Sequence, residues 1–287
     1  MRSLLFVPAD SEKKRAKALE GDADALILDL EDSVAPSEKP RARAETVAFL
    51  RDGDRKGKTI VVRVNPVDGP HCRDDVTQIV PAAPDMIMLP KATPEGVQDL
   101  SDMIAPLERE AGLEPGSIRI LTVATETPGA LFVMDGYVHC EERLAGLSWG
   151  AEDLAAEMGA TSNRRTDGVY TDTFRLARTL TLAAARHAGV LAIDSVYTDF
   201  RNEDGLRAEL AEAVRDGFDA KLAIHPAQVA VINQALTPSA AELAEAQAIV
   251  DAFAASPDQG VLSLNGRMID RPHLLQAQRV LMRLAQG

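Results

Sequence analysis

Residues 24–33 read DALILDLEDS: an apolar run, Ala25–Leu28, that passes directly into Asp29, Glu31 and Asp32. Similar short runs recur along the whole chain. Upstream lies Leu4–Val7, and downstream lie Thr59–Val64, Met86–Leu89, Ile118–Ala124, Leu144–Ser148, Val190–Asp194 and Ala220–Ile224. Longer amphipathic segments separate them, among them Glu38–Leu50, Pro94–Ala111, Tyr170–Ala188 and Asn202–Asp216, with Gly112, Gly189 and Gly217 placed as C-terminal caps. Short apolar runs alternating with helix-patterned segments are the mark of parallel strands joined by helical crossovers. Eight such units in order predict an α/β protein of the closed (β/α)8 TIM barrel type rather than an open doubly wound sheet. With Leu30 included, the second run is Ala25–Leu30.

The barrel is expected over residues 1–255, including a helix at Ala240–Ala255 beyond the eighth strand. A turn at Ser256–Gly260 then introduces a C-terminal helical extension, 256–287, whose main segment is Asn265–Leu284. A chain of 287 residues with 46% hydrophobic content holds ample material for one large core. Its net charge of -13 excludes a general nucleic-acid binder, which needs a basic surface. Cys72 and Cys140 lie far apart without a CxxC spacing and read as reduced thiols. The opening MRSLLFVPAD is too short for a secretory signal, and no run approaches the roughly 20 apolar residues of a membrane span, so a cytoplasmic protein with no membrane partner is expected.

Barrel active sites lie at the carboxyl ends of the strands. Those ends read Pro8-Ala9-Asp10, Asp29-Leu30-Glu31-Asp32, Arg63-Val64-Asn65-Pro66, Pro90-Lys91, Thr125-Glu126-Thr127, Glu152-Asp153, Asp194-Ser195 and His225-Pro226. Converging carboxylates repel unless a cation compensates them, and oxygen donors with open positions for water suit magnesium better than zinc or iron. Glu126 and Asp153, which follow adjacent strands, are the expected metal ligands, with Glu31 and Asp32 orienting metal-bound water. Asp153 also fits a helix cap. Arg63 suits bidentate capture of a substrate carboxylate, or else an ion pair with Glu31 or Asp32. Lys91 is read as neutralising nearby acids rather than forming an imine, Trp149 as packing, and His225 as a base at the mouth or a ring bonded to the Pro226 turn. The segment GDRKGKT at 53–59 is one residue short of a phosphate loop and precedes a strand; GxSxG, HExxH and GxGxxG are all missing.

Taken together, LLFVPAD, DALILDLEDSV with SEKPRAR, VVRVNP, DMIMLPK, TVATETPGAL, LSWGAEDLA, DAKLAIHPAQV and GRMIDRPHLLQAQRVL resemble, nearly end to end, the citrate lyase beta-subunit-like proteins of the HpcH/HpaI aldolase superfamily. These include malyl-CoA, β-methylmalyl-CoA and citramalyl-CoA lyases. The resemblance implies a magnesium-bearing carbon–carbon lyase, usually a homotrimer, that reversibly splits a 3-hydroxyacyl-CoA into an acyl-CoA and a 2-oxo acid. Under it Glu126 and Asp153 are the metal ligands, Arg63 binds the oxo acid and its developing oxyanion, and Asp270 is a catalytic acid/base that reaches a neighbouring subunit's site. Asp270 also fits a cap for the last helix. The CoA phosphates are assigned to Lys13 and Lys17, or to Lys39 and Arg43. Ala9 and Asp10 stand where relatives often carry glycine, which bears on how the thioester approaches. Three alternatives stay open: a citrate lyase beta subunit acting on an acyl-carrier-protein thioester, a metal aldolase using free 2-oxo acids, and an inactive binding protein.

Overall fold

The computed structural model describes residues 1–140 and 143–285. Eight strands occur where the apolar runs predict them: β1 (Ser3–Pro8), β2 (Ala25–Asp29), β3 (Thr59–Arg63), β4 (Met86–Leu89), β5 (Arg119–Val123), β6 (Leu144–Ser148), β7 (Leu191–Asp194) and β8 (Ala220–Ala223). Each pairs in parallel with the next, and β1 pairs with β8 through Ser3–Lys221 to Leu5–Ala223, closing the barrel. A β-bulge offsets β5 from β6 at Ile120/Leu121.

Side-chain direction alternates along each strand, which sorts the core into two layers. Leu4, Ile27, Val61, Met88, Leu121, Val123 and Leu222 pack together inside the barrel. Their neighbours Leu5, Leu26, Leu28 and Val62 face the surrounding helices. Full burial of each Leu or Ile contributes roughly 2 kcal/mol. The same alternation carries Asp29 and Arg63 to the inside, two residues beyond Ile27 and Val61.

The outer ring comprises α1 (Glu12–Leu19), α2 (Lys39–Asp52), α3 (Cys72–Ile79), α4 (Pro94–Glu110), α5 (Ala151–Glu157), α6 (Asp172–Ala188), α7 (Glu203–Asp216) and α8 (Pro226–Leu236). Gly189 and Gly217 end α6 and α7 in left-handed C-caps, as their spacing predicts. The β5–β6 crossover departs from the expected pattern: among the described residues it is built from 3₁₀ turns at Gly129–Phe132 and Met134–His139. A Pro at 128 and glycines at 129 and 136 break the longer helical pattern there.

Beyond the barrel, α9 (Ala240–Ala255) starts in a Ser239/Glu242 capping box. A hairpin of β9 (Val261–Leu264) and β10 (Arg267–Asp270) leads into α10 (Arg271–Ala285). The pairing of α9 with α10 is the most extensive helix–helix contact among the described residues. The boundary expected at 255/256 therefore separates two helices that pack on each other, and the ring of the barrel ends with α8. Even with α10 packed on it, α9 buries little apart from Ala246 and Phe253. Residues 286 and 287 of the expected extension lie outside the described residues. No helix among the described residues is long and apolar enough to cross a membrane.

Candidate active site

A cavity of about 400 Å³ opens at the carboxyl ends of the strands. Phe6, Val123 and Leu222 form its apolar floor, and Asp29, Asp32, Arg63, Glu126 and Asp153 supply its charge. Glu126 follows β5 and is 3% exposed; Asp153 lies in the first turn of α5. Between them stands Gly150, where a Cβ would approach Glu126 Cγ to 2.6 Å. Any side chain at 150 would push the Glu126 carboxylate out of place. Burial raises the Glu126 carboxyl to about 8; the Lys91 N–H opposes this, while Asp153 and Glu31 add to it.

Arg63, at the end of β3, is gripped by Asp29. Nε donates to Oδ1 at 2.7 Å and Nη2 to Oδ2 at 2.8 Å, the bidentate form that fixes a guanidinium plane. Nη1 lies 2.8 Å from Glu31 Oε2, in charge contact but off the hydrogen-bond direction. Phe6 lies under the guanidinium, 4.8 Å from its carbon. Burial works against the charged guanidinium, yet Asp29 and Glu31 hold its pKa above the ordinary value. The ion pair expected from spacing thus exists, but its main partner is Asp29, which sequence reasoning passed over in favour of Glu31 and Asp32. The signal was available in the strand parity, since Asp29 lies two residues beyond the inward-facing Ile27.

Burial also raises Glu31 to about 7, against the opposing charge of Arg63. Asp32 is exposed and lines the rim. Lys91 has a left-handed backbone, φ 47°, sparsely populated by residues with a side chain. Its backbone N–H donates to Glu126 Oε2 at 2.5 Å and its ammonium to Asp153 Oδ1 at 2.9 Å, with Glu31 Oε1 at 3.5 Å. Lys91 therefore neutralises acids, in agreement with the reading from sequence, and burial does not stop Asp153 and Glu31 from holding its pKa above normal.

Two assignments need correction. Lys39 is buried, with its ammonium consumed by Leu30 O and Glu31 O at 2.8 Å and Asn65 Oδ1 at 2.7 Å. Arg43 is buried against Asp75, 2.7 Å away. Neither presents a charge to a phosphate; Lys39 ties the loop after β2, which carries Glu31, to Asn65 after β3, and Arg43 holds Asp75, which accepts from the Asn65 backbone and side-chain N–H groups. Lys13 and Lys17 remain exposed on α1. Asp270 does not line the cavity of its own chain; its Oδ1 lies 2.5 Å from His273 Nδ1. Trp149 is fully buried, donates to Asp194 at 2.8 Å and packs edge-on against Tyr170, with one face reaching the cavity wall. His225 caps α8 through its ring and stacks on Phe200, which is the turn-bonded alternative.

A closed parallel barrel whose strand ends converge carboxylates and one arginine on an apolar cavity is the architecture of a barrel enzyme. Residues 2–226 match the HpcH/HpaI aldolase/citrate lyase family, and the chain belongs to that family of lyases. It is 36% identical over 285 residues to the citrate lyase subunit beta of Escherichia coli K12, covering 98% of this chain and 92% of that protein. A (3S)-malyl-CoA thioesterase of Cereibacter sphaeroides (strain ATCC 17025) is 35% identical over 283 residues, covering 98% and 93%. Among solved structures, Mycobacterium tuberculosis CitE in complex with magnesium, acetoacetate and coenzyme A superposes with a TM-score of 0.77 at 34% identity, covering 98% of this chain and 97% of that one.

Proposed function

We propose that this protein is a magnesium-dependent carbon–carbon lyase that reversibly cleaves a 3-hydroxyacyl-CoA of the malyl-CoA, methylmalyl-CoA or citramalyl-CoA type into an acyl-CoA and a 2-oxo acid. The observation that carries this reading is the convergence of Glu126, Asp153 and the Asp29-gripped Arg63 on one cavity. Two oxygen donors beside open space fit a hard cation that keeps water and substrate in its shell. Glu126 and Asp153 are the ligands in this reading, and Glu31 and Asp32 orient bound water. Magnesium, when bound, supplies Lewis-acid stabilisation of the negative charge that develops on the oxo acid.

Arg63, its plane already fixed, binds the oxo-acid carboxylate and stabilises the oxyanion without reorganising. Phe6, Val123 and Leu222 exclude water from beneath the reacting carbons. Asp270 delivers or removes the proton at the acyl-CoA carbon from a neighbouring copy, in a homotrimer, because it does not line the cavity of its own chain. Lys13 and Lys17 meet the CoA phosphates. The setting is cytoplasmic. A second reading, hydrolysis of the thioester after cleavage, draws on the thioesterase relative.

The test is a panel of malyl-CoA, methylmalyl-CoA and citramalyl-CoA with magnesium or EDTA, read both as 2-oxo acid and as free thiol. Magnesium-dependent release of oxo acid with no thiol is expected. Thiol in equal amount indicates the hydrolytic reading. Inactivity on all three sinks the CoA-lyase reading and directs attention to acyl-carrier-protein thioesters, free 2-oxo acids or a binding role.

A further inference from the structure

Four carboxylates converge on the barrel mouth, those of Asp29, Glu31, Glu126 and Asp153, and the first three are almost wholly buried. Among the described residues only Arg63 and Lys91 answer them at contact distance, so the carboxylates outnumber their cations by two. Arg63 is locked by Asp29 and cannot move toward Asp153. Lys91 is different. Its ammonium touches Asp153 Oδ1 at 2.9 Å on a flexible four-carbon stem and is about a third exposed, while its backbone N–H holds Glu126 Oε2 at 2.5 Å. One residue thus contacts both expected metal ligands, from a left-handed backbone that places its N–H and its side chain on opposite carboxylates.

We propose that Lys91 is the resident counter-ion of the metal position, and that its ammonium must leave Asp153 for a divalent ion to enter. The inference rests on the magnesium reading of the same site. A divalent ion on the Asp153 carboxylate repels an ammonium held 2.9 Å from Oδ1 of the same group, so the two cations compete for it. Glu31 Oε1, already 3.5 Å from the ammonium, is the nearest place for Lys91 to retreat to. Lys91 accordingly limits metal affinity and protects the metal-free site from its own repulsion. Its backbone N–H keeps Glu126 in position in both states.

Isothermal titration of magnesium into the full-length wild type and the variants Lys91→Met, Lys91→Gly and Lys91→Arg tests this, alongside melting temperatures with and without the ion. Loss of a unit charge beside the ion tightens magnesium binding in Lys91→Met and Lys91→Gly by on the order of tenfold. Lys91→Gly also relaxes the left-handed backbone, so an equal gain in both variants assigns the effect to charge. Lys91→Arg, which keeps the charge, stays near wild type. The metal-free melting temperature falls in the Met and Gly variants, and the rise on adding magnesium is larger than in wild type. Unchanged or weaker magnesium affinity in both overturns the proposal. If Lys91→Met does not fold without metal, recovery on refolding with magnesium supports the proposal and failure to recover overturns it. Absence of magnesium binding by the wild type overturns the magnesium reading itself, and this inference with it.

Discussion

Two clusters of buried charge lie on the two sides of the barrel wall, and their balance differs. On the outer side of β7 and β8, the buried Asp194, Lys221 and Arg178 meet Glu209, Arg164 and the exposed Asp216, three negative charges against three positive, with Arg215 3.8 Å from Asp216 at the surface. Lys221 is fully buried, and its three donors are saturated by Asp194 at 3.0 Å and by Glu209 and Ser195 O at 2.8 Å. Burial by itself pushes the Asp194 carboxyl up, but Lys221 and Arg178 reverse this and hold it below the ordinary carboxylate range. On the inner side, at the mouth, burial raises Glu31 and Glu126, and neighbouring carboxylates add to it where the cations do not reverse it. Buried charge that is matched is structural; buried charge left unmatched is a site waiting for a cation.

The contrast predicts opposite responses to neutralisation. Asp153→Asn should lower kcat/KM for thioester cleavage by about 10³-fold, while leaving the metal-free melting temperature unchanged or higher, because one uncompensated charge is gone. A marked fall in that temperature would show the mouth to be balanced after all. Lys221→Met should cost about 3–5 kcal/mol in urea unfolding, since it strands Asp194 and Glu209 in the interior, and magnesium should not restore it. A loss below about 1 kcal/mol would place the outer network among weak surface pairs.

The smallest effect concerns pH. The Glu31 carboxyl is raised in the fold, so its contribution to metal-free stability is complete below about pH 4.5 and is lost as pH rises through about 7. Metal-free wild type should therefore lose stability between those limits. Glu31→Gln should flatten the decline by on the order of 2 kcal/mol, with the remainder due to Glu126. Denaturant unfolding at a series of pH values, in EDTA, measures both slopes, and an unchanged slope in Glu31→Gln would remove this residue from the mouth's charge imbalance.

Much of the site was legible because barrel geometry converts strand ends into neighbours. Glu126 and Arg63 follow apolar runs directly, and Asp153 follows the adjacent run after a short turn, so all three reach the cavity. Asp29 was legible in principle from parity and was missed because Glu31 and Asp32 lie nearer the end of the motif. Lys39 and Arg43 were misassigned because helical spacing gives a face without saying what covers it. Here α2 packs against α3, whose Asp75 takes Arg43, and the loop beneath takes Lys39. Gly150 carried no local signal at all, since the need for it arises from a side chain 24 residues earlier in the sequence.

The sequence by itself determined the number and order of the eight barrel strands and the acidic character of the mouth. These follow from apolar runs and the residues that end them, which any short window contains, whereas the β9–β10 hairpin lies in an extension read as helical. Which charge meets which was decided only by the tertiary structure. Arg63 finds Asp29 across 34 residues from the neighbouring strand, and Lys91 finds Asp153 across 62 from beyond the intervening β5, contacts made when the strands close into a ring. Electrostatic balance is a property of such distances, and so the excess charge at the mouth and its absence behind the wall appear only in the folded chain.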